Sequence, residues 1–389
     1  MWKICVVTAT RAEYGLLKPL MKGLLSDSDY APHIAVTGMH LSPEFGMTVN
    51  SIEADGLAID KKIEILLSSD TPVALSKSMG LAMISFAEYF AESQPNALVV
   101  LGDRYEMLAV CSAAMNERIP IFHLHGGETT EGIIDEAVRH SITKMSYLHF
   151  ASTEAYRKRV IQLGESPDRV FNVGAMGVEN ALRVPEMSVT ELEESLGFSL
   201  ENNYVVGTFH PVTLENSTAK MQAEELLLAL DMHPEMNYLF TKANADTDGR
   251  AINELLADYS CTHANLHLVD SLGTERYLNA VKHARFVIGN SSSGLIEVPS
   301  FHVPTINIGD RQLGRIAGKT VINCQPNRES INFAINTAMD EEFLRTVRHA
   351  TNPYGDGHTS EKILKIIKEF FVNEKIHIKK KFYDVDFEV

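Results

Sequence analysis

Spacings that would chelate a metal or close a disulfide loop are missing from this chain. Its four cysteines, Cys5, Cys111, Cys261 and Cys324, lie far apart with no CxxC among them, which argues against a zinc knuckle or a disulfide framework. No apolar run reaches about 18 residues, so no membrane-spanning helix is expected. Positive charge is scarce as well: 35 Lys and Arg against 51 Asp and Glu leave a formal charge of -16. Such a field repels nucleic acid and anionic membranes, and neither is expected as a partner. A small anionic ligand stays open, because local arginines and helix ends bind phosphate even inside an acidic protein. The GxGxxG of a dinucleotide-binding turn is absent, since residues 8–15 read TATRAEYG, and this argues against NAD.

Two partial motifs fail on geometry. GRIAGKT (314–320) resembles a phosphate-binding loop but has one spacer too few before its lysine, and NADTDG (244–249) opens like an EF-hand loop whose twelfth position would be Leu255, not a glutamate. The opening MWKICVVTAT runs into a strand-like segment without the features of a secretory signal, so the reading is a cytoplasmic protein.

What the sequence does carry is a repeated alternation of short apolar runs and longer amphipathic stretches, the pattern of strand, crossover helix and parallel strand. Strands are expected at 3–9, 33–38, 97–102, 121–125, 149–152 and 170–174, with helices such as 11–25, 73–91, 105–117, 136–147 and 153–163. After a polar, Glu-rich stretch at 184–203 the pattern restarts, with strands at 204–209, 238–242, 266–269, 286–289 and 304–308 and helices such as 221–230 and 250–259. A length of 389 residues suits two domains of roughly 150–200 residues each. The expected organisation is α/β, with a first Rossmann-like, doubly wound domain at 1–180, a linker near 180–200, a second such domain at 181–355 facing the first across a cleft, and a terminal segment 356–389. The helical spacing at 361–372 places a last helix in that segment, packing back on the first domain.

Ligands in such sheets sit beyond the carboxyl ends of the strands. There the chain carries TRAEYG, GDRYE (102–106), HLHGGE (123–128), then Asp135, Arg139 and His140. The second half offers THP-like residues at 208–211, KANAD (242–246), GNSSSG (289–294) with Glu297, and GDRQ (309–312). In GNSSSG a strand ends in glycine and a helix begins behind three hydroxyls, so free amides and serines such as Ser291 and Ser292 form an anion cradle. The plainer reading is a serine N-cap. Glu297, a turn further on, suits two adjacent ribose hydroxyls, or else is a capping-box glutamate. Arg11 and Arg311 each follow a strand end and could clamp a diphosphate bidentately, or be solvated surface charges. Asp103, Glu128 and Asp135 supply carboxylates whose mutual repulsion could split their pKa values for proton transfer; Asp103 and Asp135 could instead be helix N-caps. His123 and His125 are expected on one face of a strand, where a zinc site would need a third ligand such as Glu128 or His210. No recognised ligand spacing supports a metal there.

Taken in order, TRAEYG, GDRYE, HLHGGE with DEAVRHSITK, FHP, GNSSSGLIEVPS and INIGDRQ with GR resemble the hydrolysing UDP-N-acetylglucosamine 2-epimerases of bacterial sialic-acid synthesis, over nearly the whole chain. The resemblance implies a GT-B fold and a two-step reaction: anti-elimination of UDP with loss of the C2 proton to give 2-acetamidoglucal, then addition of water to give N-acetylmannosamine. It implies Asp103 and Asp135 as acid/base carboxylates, His210 near the diphosphate, and Arg11, Arg104, Asn244, Ser291, Ser292, Glu297 and Arg311 at nucleotide-binding positions. Arg139 is carried as a further substrate-binding candidate. Some relatives have a catalytic glutamate where this chain has His125, so either His125 or Glu128 takes that role here. UDP-N-acetylglucosamine or UDP would be the partner, without cofactor or metal, in a homodimer or homotetramer. The competing readings are the same reaction on UDP-N,N'-diacetylbacillosamine, a non-hydrolysing epimerase, for which alanine rather than proline in TRAEYG is the counter-signal, a plain GT-B glycosyltransferase, or a non-catalytic nucleotide-sugar sensor.

Overall fold

Among the described residues, thirteen strands pair in parallel and group in two sheets. The computed structural model describes all residues except 70, 130–133, 201–202, 212–217, 244–248, 374–375 and 387–389. In the first sheet are β1 (Trp2–Thr8), β2 (Tyr30–Thr37), β3 (Lys61–Ile63), β4 (Ala97–Leu101), β5 (Ile121–Leu124), β6 (Leu148–Ala151) and β7 (Val170–Asn172), in the order β3-β2-β1-β4-β5-β6-β7. The second contains β8 (Tyr204–Thr208), β9 (Asn237–Thr241), β10 (Leu266–Val269), β11 (Val287–Gly289), β12 (Thr305–Ile308) and β13 (Val321–Cys324), in the order β10-β9-β8-β11-β12-β13. In each sheet the order reverses beside the first strand, the signature of doubly wound sheets.

Both faces of each sheet are covered, which the side-chain alternation of the first strands makes plain. Along β1, Ile4 and Val6 enter one core while Cys5 and Val7 enter another; along β8, Val205 enters one core and Tyr204 and Val206 the other. A strand buried on both faces reads as a continuous apolar run rather than an alternating one. The short edge strands β3 and β13 break that rule and escaped the sequence reading. Lys-Lys-Ile (61–63) and Val-Ile-Asn-Cys (321–324) carry too little apolar signal.

The chain divides into two compact units, Met1–Asn180 with Gly357–Val389, and Ala181–Asp356. The polar stretch after residue 184 is more than a connector: it holds the helix Val189–Leu196, opened by a Ser188/Glu191 capping box and burying Leu192 in the second unit. The final helix, Thr359–Val372, packs on the helix Arg11–Ser26, where the absent side chain of Gly23 makes room for Leu364. Ile363, Ile367 and Phe370 share a core with Leu17, Leu20 and Leu24. The Glu179 carboxylate caps this helix by accepting from the Ser360 amide at 2.6 Å and from the Ser360 hydroxyl. Among the described residues no helix is long and apolar enough to cross a membrane.

Beyond the final helix the chain crosses the β6–β7 side of the first sheet. The Tyr383 amide donates to the Gly164 carbonyl (2.9 Å), and Gly164 leaves the space that the Phe382 ring fills. Underneath, the buried carboxylate of Glu165 receives Lys144 (2.6 Å), Lys380 (2.9 Å) and His149 (3.1 Å). Burial opposes its ionisation, but the His149 hydrogen bond and the two ammonium groups prevail and hold its pKa at about 2. A carboxyl lowered on folding stabilises the protein above its unfolded pKa, and that stability is lost as pH falls through the folded value. Between pH 4.5 and 2 the protein is therefore expected to lose about 3 kcal/mol through this group. Denaturant melts of the wild type and Glu165→Gln check it: the variant should be weaker at pH 7, with the gap closing towards pH 2.

Candidate active site

In the first unit, β4 ends at Gly102, whose φ of +77° turns the chain so that Asp103 and Arg104 follow at the carboxyl edge of the sheet. Arg104 occupies the N-cap position of the helix Tyr105–Asn116 without a side-chain cap bond, so Asp103 is not its N-cap. Asp135 falls within the first turn of the helix Ile134–Met145. From the same helix comes Arg139, 2% exposed. Its guanidinium donates to Asp103 Oδ2, to the Glu128 carbonyl (2.8 Å) and to Glu136 Oε2 (2.8 Å). These donors point at protein acceptors, so the structure makes Arg139 the anchor of Asp103 rather than a free ligand-binding cation. Asp135 has its pKa raised, first by burial and next by the Asp103 carboxylate, against the pull of Arg139 and Arg104. A carboxyl pushed toward its neutral form thus lies near a second one held by an arginine.

The two histidines of HLHGGE part company. His123 is the end of the buried strand: its Nε2 donates to the Gly102 carbonyl (2.7 Å), its Nδ1 faces the Thr143 hydroxyl (3.2 Å), and burial lowers its pKa to about 3. It is a neutral strut that braces the turn before Asp103. His125 is not on the same strand face, as the sequence suggested, because it lies past β5 with φ +64°, a left-handed conformation that ends the alternation. Its Nε2 accepts from the Met176 amide (3.2 Å), which places the ring proton on Nδ1, facing Glu128 Oε1 at 3.2 Å. Glu128 Oε1 also accepts from the Ser152 hydroxyl (2.7 Å). Both His125 nitrogens are thereby engaged. Among the described residues no group of three or more His, Cys, Asp or Glu is gathered for a metal.

Two carboxylates that the sequence reading did not single out lie beside these groups. Glu13 completes a capping box with Thr10 at the start of the helix Arg11–Ser26; its Oε2 accepts from the amides of Ala9 (2.8 Å) and Thr10 (3.0 Å), while Oε1 is buried without a partner. Burial lifts its pKa to about 7 despite those amides and Arg104. Glu106, fully buried, holds Arg104 through Nε (3.2 Å) and a terminal nitrogen (2.9 Å). The Thr-x-x-Glu spacing of a capping box was the available signal for Glu13. Arg11 itself is the first residue of that helix, with an exposed side chain.

The second unit is organised by Asn290, which follows Gly289. A Cβ at Gly289 would come 1.9 Å from the Thr208 carbonyl, and its φ of +138° is a glycine conformation, so no other residue fits. That close approach brings the Asn290 carboxamide to His210. Its Oδ1 accepts from the His210 amide and its Nδ2 donates to the His210 carbonyl, both at 2.8 Å. The Asn290 carbonyl accepts from Gln312 Nε2 (2.9 Å) and from Arg311 (3.2 Å). One residue therefore gathers the FHP, GNSSSG and GDRQ segments.

The cradle differs in detail from the expectation. The helix after the serines is a single turn, Ser293–Ile296, and Ser292 occupies its N-cap position without a side-chain bond, so a serine N-cap is not what the structure contains. The amides of Ser293, Gly294 and Leu295 are already taken by Ser291 Oγ, the Ser291 carbonyl and the Ser292 carbonyl. Glu297 is the C-cap residue that follows that turn rather than a capping-box glutamate in its first, and its charge reaches Tyr277, whose pKa is raised to about 12, chiefly by burial. Asn244 lies outside the described residues.

Two parallel-sheet units with their chemistry-bearing residues on the carboxyl edges define a protein of the GT-B architecture. The chain belongs to the UDP-N-acetylglucosamine 2-epimerase family, whose pattern matches residues 22–368. It is 42% identical over 386 residues to the polysialic acid biosynthesis protein P7 of Escherichia coli, covering 99% of this chain and 98% of that one. It is also 42% identical over 364 residues to the GDP/UDP-N,N'-diacetylbacillosamine 2-epimerase (hydrolyzing) of Campylobacter jejuni, covering 93% and 94%. The UDP-GlcNAc 2-epimerase of Neisseria meningitidis, solved bound to UDP-GlcNAc, superposes with a TM-score of 0.76 at 18% identity over 94% of this chain and all of that one.

Two substitutions test the geometry. Glu13→Gln should remove a pH dependence of stability. A carboxyl raised to about 7 contributes stability below its unfolded pKa that is lost as pH rises through 7, a change of about 3 kcal/mol. Melts at pH 5 and pH 8 should show this loss in the wild type and little of it in the variant. Asn290→Ala removes both hydrogen bonds that the carboxamide makes with the buried His210 backbone, and denaturant unfolding should show a loss of about 2–4 kcal/mol.

Proposed function

We propose that the protein is a hydrolysing UDP-sugar 2-epimerase that converts UDP-N-acetylglucosamine to N-acetylmannosamine and UDP. The carrying observation is the carboxyl pair of the first unit: Asp103 fixed by the Arg139 guanidinium, and Asp135 beside it with its pKa raised. Removal of the weakly acidic C2 proton and expulsion of UDP need a base and an acid held apart in protonation state, and paired environments of this kind supply that difference. Asp103 and Asp135 are the acid/base pair. Arg139 is a positioning residue. His125, with both nitrogens engaged, orients Glu128, leaving Glu128 the better candidate for any third proton-transfer role.

Loss of UDP generates charge on the departing diphosphate. Ser291, Ser292 and Arg311 are its ligands in the second unit, with His210 beside it and Glu297 and Asn244 on the nucleoside, and Arg11 and Arg104 are substrate-binding positions of the first unit. Water then adds to the glycal, with the same carboxyl pair acting in the opposite sense. The reaction proceeds in a cytoplasmic homo-oligomer. A second reading, the same chemistry on UDP-N,N'-diacetylbacillosamine, is favoured by the 42% identity to the Campylobacter jejuni enzyme.

Proton NMR in heavy water tests the reaction. UDP-N-acetylglucosamine should yield UDP and N-acetylmannosamine deuterated at C2. Accumulation of UDP-N-acetylmannosamine would instead make the enzyme non-hydrolysing, and turnover of the diacetylbacillosamine nucleotide alone would establish the second reading. Asp103→Asn and Asp135→Asn should each lower kcat by about 10²–10⁴; Asp135→Asn should leave the melting temperature nearly unchanged, whereas Asp103→Asn, which takes the charge partner from the buried Arg139, should lower it.

A further inference from the structure

A second charged pocket lies in the first unit, away from the carboxyl strand edge. It is a cavity of about 760 Å³ between the residues that precede or begin β6 and β7, among them Tyr147 and Arg169, and the chain's last described segment, His377 to Tyr383. Such a volume accommodates a ligand of nucleotide size. Arg169 is 7% exposed, and its guanidinium lies over the Tyr147 ring, 5.0 Å from the centroid. Among the described residues it has no carboxylate at ion-pair distance and no hydrogen-bond acceptor. A guanidinium with neither presents its fork of donors to the cavity it lines.

The local charge explains why no described residue answers it. Glu165, the buried carboxylate of this region, is already shared by Lys144, Lys380 and His149. Arg169 and Lys144 also repel the Lys380 ammonium, whose pKa is lowered with burial as the largest cause. The cavity wall adds Lys379, Lys381 and His377, while its acidic groups are Asp168 and Glu369. Within a chain of formal charge -16, this is a concentration of cations facing one open pocket.

We propose that this cavity binds a small phosphate-bearing polyanion, with the Arg169 fork on the phosphate and the lysines of the terminal segment closing over it. Because the terminal segment forms one wall, occupancy fastens that segment to the sheet.

Isothermal titration of inorganic pyrophosphate into the full-length protein, in the presence of saturating UDP, tests this. The wild type should bind one pyrophosphate that UDP does not displace, and Arg169→Met should weaken that binding at least tenfold. The double variant Lys379→Gln, Lys381→Gln, at exposed positions, should weaken it severalfold and reduce its salt dependence, and it decides the matter if Arg169→Met fails to fold. Absence of any UDP-resistant binding in the wild type, or binding unchanged in both variants, would overturn the proposal.

Discussion

Much of the first unit's chemistry depends on the obligation of one buried guanidinium to find acceptors. Arg139 is almost wholly removed from water, and a desolvated arginine is tolerated only when its donors are answered. It finds them on three separate segments: the turn after β4, the loop after β5, and its own helix. The need to satisfy one side chain thus sets where Asp103 sits. His123 reinforces the same turn from below, through the Gly102 carbonyl. The proton chemistry proposed for Asp103 and Asp135 then follows from environment alone, since two residues of one chemical type are held by an arginine in one case and pressed by burial and a neighbouring carboxylate in the other.

The second unit solves a similar problem with a neutral group. Asn290 matches one donor and one acceptor of the His210 backbone, and its own carbonyl receives Arg311 and Gln312. A carboxamide can do this because it presents both polarities side by side; an aspartate would have no donor for the His210 carbonyl. The arrangement is possible only because Gly289 lets two strands' backbones come closer than any side chain allows. Loop positions in this unit are therefore set by packing distance before they are set by charge.

Much of this was legible in the sequence. The doubly buried strands announce themselves as unbroken apolar runs, and the strand-end motifs fall where parallel sheets put ligands. What could not be read were features made by tertiary approach. Neither Asn290 nor Glu106 looks different in a string of letters from a surface polar residue; what they do depends on which backbone or side chain arrives opposite. His125 illustrates the opposite case: the apolar run predicts a strand through residue 125, one residue past the point where a left-handed φ ends it. The edge strands β3 and β13 were missed because edges need little apolar character.

The path of the chain has a consequence for how the molecule is made. The second unit is one uninterrupted stretch, whereas the first is built from both ends, and Ile363, Ile367 and Phe370 are part of its core. On a ribosome, the first 180 residues emerge with that core incomplete. At about 5–20 residues per second, the 192 positions from Ala181 to Val372 take about 10–40 s to follow. During that interval the inserted unit can finish folding while its host waits for a last helix, so the domain begun first is the domain completed last.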